Sequence, residues 1–257
     1  MAYIEVKDAC KKYTQNGKET VVLDNVSLEI EKGEFICLLG PSGCGKSTLL
    51  NSLAGFERLN SGSVTIDGKE VEKPSVKNIT IFQNYGLLPW RNVISNVKLG
   101  LEAKNISKEE ADKTARKFLE LVGLEGFEKR YPRQLSGGQQ QRVAIARGLA
   151  VDPDIIFMDE PFGALDAITR MKLQDDMLRI SREEKKTIIF VTHDIEEAVF
   201  LADRIVVMMA DPGRIKSIVM VPAHSTSDRT SQGFLHVRDR VFELFNMKTE
   251  EYIDYVI

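Results

Sequence analysis

Short apolar runs alternate with helix-like stretches along most of the chain. Continuous apolar runs at 35–39, 155–158, 187–191 and 205–209 have the length and composition of strands that are buried on both faces. The first run leads through a glycine-rich loop into a predicted helix over about 46–53. Buried strands that alternate with helices predict an α/β fold, built on a largely parallel sheet that is covered by helices.

The N-terminal part follows a different pattern. Segments 2–7, 21–30 and 62–66 alternate apolar and polar residues, which is typical of strands with one face in solvent. Asn-Gly at 16–17 and Asp-Gly at 67–68 are residue pairs that favour tight hairpin turns. We therefore expect an antiparallel β lobe in this part of the chain.

Helical patterns dominate the residues from about 93 to 150. Ser107 followed by Glu110 has the spacing of a capping box, and it predicts a helix that begins there and ends near 122. Towards the C-terminus, residues 234–245 carry apolar side chains at helical spacing, so we expect an amphipathic helix that packs on the core.

Composition narrows the class of protein. The chain has 257 residues, of which 43% are hydrophobic, so it is long enough to bury a substantial core. Its formal net charge of -3 argues against a strongly basic binding face, and we expect no nucleic-acid partner. We see no signal peptide at the N-terminus, and no apolar run approaches the roughly 20 residues that span a bilayer. We therefore expect any membrane role to depend on a partner.

The glycine-rich loop fits the pattern G-x-x-x-x-G-K-[ST] between a predicted strand and a predicted helix. Its glycines let the backbone curl so that N–H groups face phosphate oxygens, and the following helix adds its unpaired N-terminal donors. In such a loop Lys46 bridges the β- and γ-phosphates of ATP, and the Ser47 hydroxyl binds Mg²⁺. The nucleotide-binding residues expected here are Gly40, Pro41, Ser42, Gly43, Cys44, Gly45, Lys46, Ser47 and Thr48.

The three cysteines, Cys10, Cys37 and Cys44, match no metal-binding spacing. An odd count of this kind favours reduced thiols in a cytosolic protein. Because Cys44 belongs to the glycine-rich loop, we expect its thiol to lie against the phosphates. Alkylation should then inhibit the protein, and ATP should protect it.

Two carboxylates end the buried strand at 155–158. Asp159 is placed to hold the Mg²⁺ shell, and Glu160 is placed to polarise the attacking water. A strand that ends in acidic residues is often only a solvated strand end, so the pair gains its meaning from the glycine-rich loop. Together the two motifs predict a site that hydrolyses a nucleoside triphosphate.

A second segment rich in serine and glycine, LSGGQ at residues 135–139, precedes a predicted helix and makes another anion-binding terminus. Continued into QQRVAIAR, it resembles the signature of ABC ATPases. The resemblance implies that two subunits pair head to tail, and that the signature of one covers the ATP held by the other. The residues that it assigns to this contact are Ser136, Gly137, Gly138 and Gln139.

The resemblance covers nearly the whole chain and assigns roles to further residues. Tyr13 resembles the aromatic residue that stacks on adenine, although an ordinary tyrosine at a strand end has the same pattern. Gln83 matches the Q-loop glutamine, which contacts Mg²⁺ and the attacking water. His193 matches the switch histidine, which contacts the γ-phosphate and orients the catalytic glutamate, here Glu160. Residues 164–166 resemble the D-loop, which runs along the dimer seam.

A subtype is indicated by the segment 82–90, in which a Q-loop is followed by Leu-Leu-Pro-Trp, and by PFGALD at 161–166. Both resemble the ATPases of nitrate, sulfonate, taurine and bicarbonate importers. This implies integral-membrane permease subunits and an extracytoplasmic solute-binding protein as partners, with the ATPase at the cytoplasmic face of the membrane. Trp90, the single tryptophan, is either a core anchor or, as we hypothesise, part of the groove that receives the permease.

The predicted architecture is therefore an α/β, RecA-like P-loop core with an N-terminal antiparallel β lobe and an α-helical signature subdomain. We expect an ATPase domain over 1–220, with the helical subdomain inserted at about 90–150, and a short C-terminal extension over 221–257 that packs on the core. The predicted function is ATP hydrolysis, through an ATP-driven homodimer, that powers solute import.

Three alternatives compete with this function. A P-loop kinase would not need the LSGGQ helix. A helicase, or an ABC ATPase of DNA repair or translation, would bring a more basic surface, a coiled-coil insertion or a second cassette. A soluble ABC ATPase that serves cofactor assembly stays open, because nothing in a soluble subunit proves its membrane partner.

Overall fold

Two sheets, one antiparallel and one mostly parallel, form the frame of the protein in a computed structural model. The structure describes residues 2–15, 17–75, 77–82, 85–163, 165–222 and 228–245. In chain order the elements are β1 (Ile4–Gln15), β2 (Lys18–Ile30), β3 (Phe35–Leu39), α1 (Lys46–Leu53), β4 (Ser61–Ile66), β5 (Lys69–Glu70), β6 (Asn78–Ile81), α2 (Val93–Val97), α3 (Leu99–Ala103), α4 (Lys108–Leu121), a 3-10 turn (Pro132–Gln134), α5 (Gly137–Ala150), β7 (Ile155–Asp159), α6 (Ala167–Glu184), β8 (Thr187–Thr192), α7 (Ile195–Leu201), β9 (Arg204–Met209), β10 (Arg214–Met220) and α8 (Gln232–Leu244).

The antiparallel sheet has the strand order β2-β1-β4-β5, which confirms the predicted β lobe. The turn between β4 and β5 uses Asp67 and Gly68 at φ values of 50° and 70°, as the Asp-Gly pair predicts. Strand β1 continues eight residues beyond the predicted end at Lys7, through register shifts near Asp8. Its second half is polar and gives no alternation signal, so it is pairing with β2 that makes this part a strand.

The six-stranded sheet has the order β10-β9-β3-β8-β7-β6, in which β10 alone runs antiparallel to its neighbour. The four predicted buried strands lie side by side at its centre, as β9, β3, β8 and β7. Side chains of β3 alternate between two hydrophobic cores: Phe35, Cys37 and Leu39 face the helices, and Ile36 and Leu38 face the antiparallel sheet. The parallel sheet is therefore the middle layer of the molecule, and β8 lies between β3 and β7.

Helices α2 to α5 occupy the segment for which helical patterns were predicted. Helix α4 begins at the predicted position, where the Ser107 hydroxyl accepts a hydrogen bond from the Glu110 amide at 3.3 Å. Near the C-terminus, α8 buries Phe234, Val237 and Val241 in the same core as the helical face of β3. Within the described part of the chain, every helix is too short or too polar to span a membrane.

Candidate functional site

The phosphate loop (residues 40–48) joins β3 to α1 at the carboxyl edge of the parallel sheet. Gly45 caps α1 with a φ of 91°, and no side chain caps this helix. The first-turn N–H groups of α1 are therefore left for an acceptor from outside the helix. Gly40 is equally constrained, because a Cβ there would lie 2.6 Å from the carbonyl oxygen of Met208.

Lys46 is buried in this loop, with only 5% of its surface exposed. Its ammonium donates hydrogen bonds to the carbonyl oxygens of Gly40 at 2.7 Å and of Pro41 at 2.9 Å. It forms no ion pair with any carboxylate in the described part of the chain. This buried cation contacts two carbonyl oxygens and, at 3.9 Å, the Cys44 sulfur, but no described carboxylate, so the loop is a favourable site for an anion.

Asp159 ends β7 opposite the loop. The Ser47 hydroxyl donates a hydrogen bond to its carboxylate at 3.0 Å, so two oxygen ligands face the same point. Burial raises the pKa of Asp159 above its ordinary value, the Ser47 hydrogen bond and the Lys46 charge oppose this rise, and the neighbouring Glu160 adds to it. A cation at this point would remove the electrostatic cost of the buried carboxylate.

Glu160 follows in an uncommon backbone conformation with a φ of 45°. Its amide donates a hydrogen bond to the carbonyl oxygen of Val191 on β8 at 3.1 Å, which fixes this turn against the neighbouring strand. Its carboxylate lies 3.3 Å from Nδ1 of His193, which follows the end of β8. The strand order therefore brings together a carboxylate and an imidazole that are far apart in the sequence.

A cleft of about 480 Å³ opens over the phosphate loop. Tyr13 and Val22, from β1 and β2, form the wall that the antiparallel lobe contributes. Val22 was not predicted, since an apolar residue in a strand has the pattern of an ordinary core position. The residues that line the cleft are Tyr13, Val22, Ser42, Gly43, Gly45, Lys46, Ser47, Thr48 and Glu160.

The signature segment (residues 135–139) lies elsewhere, since no described residue of it lines this cleft. Ser136 caps α5: its hydroxyl accepts from the Gln139 amide at 3.3 Å, and the Gln139 side chain accepts from the Ser136 amide at 3.0 Å. Arg147 on the same helix donates to the carbonyl oxygens of Tyr85 and Gly86 at 2.9 and 2.6 Å. This attaches the chain just after Gln83 to α5, whereas Gln83 itself lies outside the described residues.

Cys44 is not among the residues that line the cleft. Its side chain is fully buried and packs in the core between the two sheets, close to Gly40. Burial is also the main cause that raises its pKa above the ordinary value for a thiol. The sequence pattern places Cys44 in the loop but does not say which way its side chain turns. The Cys44 sulfur lies 3.9 Å from the ammonium of Lys46, which lines the cleft.

Comparisons with known proteins agree with this geometry. Residues 23–163 match the family model described as ABC transporter. The chain is 46% identical, over 93% of its length and 94% of the relative's, to the aliphatic sulfonates import ATP-binding protein SsuB of Bacillus cereus. It is 52% identical, over 75% of its length and 76% of the relative's, to the taurine import ATP-binding protein TauB of Yersinia pestis.

A solved structure of an ATP-binding cassette has a similar fold. It is the dimeric post-hydrolysis state of the ATP-binding cassette MJ0796, bound to ADP and Pi. The two chains superpose with a TM-score of 0.80 at 36% identity, over 86% of this chain and 99% of that one.

Proposed function

This chain belongs to the family of ABC transporter ATPases, and from that premise we propose that it powers the import of a small anion of the nitrate, sulfonate or taurine type, or of a related small molecule. The observation that carries the proposal is the similarity, over nearly the whole chain, to the ATP-binding subunit of a sulfonate importer. The similarity to a taurine import subunit supports the same solute class.

ATP lies in the cleft over the phosphate loop, with its phosphates against the N-terminus of α1 and the ammonium of Lys46. The absence of a side-chain cap on α1 and the buried charge of Lys46 support this placement. Tyr13 stacks on the adenine, since it lies on the wall of the same cleft and is exposed.

Mg²⁺ fits beside Ser47 and Asp159, whose adjoining oxygens are the ligands that a hard cation prefers. In the described part of the chain, no cluster of three or more acidic, histidine or cysteine side chains could hold a metal ion alone. Phosphate oxygens, waters and the third predicted ligand, Gln83, would complete the shell. The ion would neutralise charge on the phosphates.

Glu160 polarises the water that attacks the γ-phosphate, and His193 orients Glu160 and contacts the same phosphate. The 3.3 Å separation of the two side chains and the constrained backbone at Glu160 support these roles. The backbone at Glu160 sets the direction in which the side chain leaves the chain, and the contact with His193 at 3.3 Å helps to hold the carboxylate, which favours a fixed geometry for the water.

Two chains pair head to tail, and Ser136, Gly137, Gly138 and Gln139 of each cover the ATP of the other. The dimeric cassette of similar fold supports the pairing, and so does the location of this segment away from the chain's own cleft. Hydrolysis removes the phosphate that joins the two chains, so the dimer opens. A permease bound to both chains converts this opening into alternating access.

The partners proposed are integral-membrane permease subunits and an extracytoplasmic solute-binding protein, with the chain at the cytoplasmic face of the membrane. Trp90 is 72% exposed, which removes the core interpretation and supports the groove that receives the permease. We further propose that the ATPase domain covers 1–220, with a helical subdomain at about 90–150, and that 221–257 forms a C-terminal extension.

The test is a pull-down of the tagged chain from native membranes, in mild detergent with ATP and vanadate, with partners identified by mass spectrometry. A multi-span permease together with a solute-binding protein is the expected result, and Trp90→Ala should weaken their recovery while the isolated subunit keeps its basal ATPase rate. Recovery of soluble partners alone would overturn the transport proposal and leave the ATPase. The binding protein recovered can then be titrated with sulfonates, taurine and nitrate.

A further inference from the structure

A line of hydrogen-bonded side chains connects the C-terminal segment to the turn that carries His193. Arg229 donates to the side-chain oxygen of Gln174 on α6 at 2.5 Å. The amide nitrogen of Gln174 donates to the Glu197 carboxylate at 3.0 Å, and the Thr192 hydroxyl donates to its other oxygen at 2.8 Å. Thr192 is the last residue of β8 and directly precedes His193.

The middle of this line is withdrawn from solvent. Gln174 is 1% exposed and Glu197 is 7% exposed, and burial raises the pKa of the Glu197 carboxyl. In the described part of the chain the one ion pair of Glu197 is with Arg170, at 3.9 Å, and the Arg170 nitrogen nearest to Glu197 makes no hydrogen bond. The Glu197 carboxylate is therefore held mainly by Gln174 and Thr192.

The same groups fix the turn between β8 and α7 on both sides of His193. The Asp194 amide donates to the Thr192 hydroxyl at 3.0 Å. The Asp194 carboxylate caps α7 by accepting from the amides of Glu196 and Glu197 at 2.9 and 3.2 Å. A movement of Glu197 would therefore displace the residues before and after His193 together.

Arg229 enters this line from a well-anchored segment. Its guanidinium lies over the ring of Phe200 on α7, 4.0 Å from the centroid. Two residues later, Ser231 caps α8, and Phe234 on that helix is buried in the core. The position of the guanidinium is thus set by α8, on one side, and by Phe200, on the other.

We propose that Arg229 is a positioning residue for ATP hydrolysis: through Gln174 and Glu197 it fixes Thr192, and so sets the position of His193 relative to Glu160. The inference rests on the proposed roles of Glu160 and His193. It gives the C-terminal segment a part in turnover beyond the burial of α8. A chain that lacks this contact still binds ATP, because none of the four residues lines the cleft.

The test measures steady-state ATPase kinetics of the full chain. Arg229→Ala should lower kcat by about tenfold through a small displacement of the catalytic pair, with an unchanged KM for ATP. Arg240→Ala is the matched control, since Arg240 is exposed on α8 and forms no ion pair or hydrogen bond with a described residue. Arg229→Lys, which keeps the charge, should recover part of the lost kcat.

A double-mutant cycle separates positioning from a general loss of stability. If Arg229 acts through Gln174, Gln174→Leu should lower kcat on its own, and adding Arg229→Ala should lower it no further. The inference would be overturned if the kcat of the double variant fell by the product of the two single-variant losses. It would also be overturned if Arg229→Ala had the same kcat as Arg240→Ala. Should Arg229→Ala fail to fold, the kcat of Arg229→Lys decides in its place: a wild-type value overturns the inference and a reduced value supports it.

Measuring the ATPase rate of Glu160→Gln in parallel distinguishes failure of the proposed catalytic site from failure of the proposed role of Arg229. Loss of hydrolysis in Glu160→Gln, with normal kcat in Arg229→Ala, overturns only the inference. Wild-type turnover in Glu160→Gln overturns the proposed catalytic site, and with it the basis of the inference.

Discussion

Helices α1 and α5 both follow segments rich in serine and glycine, but their N-termini are capped differently. Gly45, the residue that precedes helix α1, lies in the left-handed region and provides no side-chain cap. Ser136, the residue that precedes helix α5, has both its hydroxyl and its amide paired with Gln139 in a capping box. The first terminus is open to an anion, and the second already satisfies part of its own hydrogen-bonding capacity.

Both helix N-termini can bind phosphate through their unpaired N–H groups, but the difference in capping suits them to different steps: α1 to binding ATP within one chain, and α5 to contacting the ATP of a second chain. The open terminus of α1, beside the buried charge of Lys46, has no side-chain cap to release before it accepts phosphate. In the proposed dimer the signature terminus would exchange its internal bonds for those of a phosphate, and breaking such a cap costs about 1 kcal/mol. We therefore expect each chain to bind ATP alone, and the signature contact to form only when a second chain presents its ATP.

The largest expected effect is a loss of ATP hydrolysis, without a loss of ATP binding, in Glu160→Gln. Glu160→Gln removes the group proposed to polarise water, so turnover should fall by about 10²–10⁴-fold. ATP should still bind at the open terminus, and an ATP-dependent dimer should accumulate in size-exclusion chromatography. Glu120→Gln, at an exposed position on α4, is the control and should behave as wild type. Wild-type turnover in Glu160→Gln would contradict the assignment.

The second effect tests the open terminus itself. Lys46→Ala removes the buried ammonium, and the loss of charged hydrogen bonds to phosphate, worth about 1.5–3 kcal/mol, should weaken ATP binding by about 10- to 100-fold. Fluorescent nucleotide titration of the isolated chain measures this directly. Lys113→Ala, at an exposed position on α4, should leave the affinity unchanged. If both variants bind as wild type does, Lys46 serves only the loop carbonyls that it contacts here.

The parts of the fold that the sequence predicts well are those with a local signal. The buried strand β3, the phosphate loop and α1 were predicted with the observed bounds, because a continuous apolar run and a fixed glycine pattern need no tertiary information. The edge strands β6 and β10 were not predicted, because they are short or have mixed exposure and are defined by their pairing.

The residues of the candidate site also fall into those with a local sequence signal and those without one. The residues of the phosphate loop and the pair Asp159 and Glu160 follow from short motifs. Gln174 has the sequence pattern of a polar residue on a helix surface, yet it is almost fully buried. Its partners are 23 and 55 positions away, so only the packed structure shows that Arg229, Gln174 and Glu197 meet.

A smaller effect is expected at the capped terminus. Gln139→Ala removes the bond to the Ser136 amide, so α5 should lose about 1 kcal/mol of stability and the ATP-dependent dimer, measured with Glu160→Gln present, should weaken severalfold. ATP affinity of the single chain should not change. Gln134→Ala is a close control, because Gln134 makes the equivalent bond, at 2.8 Å, to the Tyr131 amide in the preceding turn. Equal effects of both variants on the dimer would show that helix capping alone is at work.

The smallest expected effect concerns Cys44, whose side chain packs in the core beneath the phosphate loop. Alkylation requires an accessible thiolate, whereas this thiol is fully buried and burial raises its pKa. Treatment of the native chain with an alkylating reagent should therefore leave the ATPase rate unchanged, with or without ATP. Mass spectrometry of the treated chain should find the reagent on Cys10, which is partly exposed, and on Cys44 only after denaturation. Inhibition that ATP relieves would instead place the Cys44 thiol at the wall of the cleft, and the loop would be less rigid than its packing against Gly40 implies.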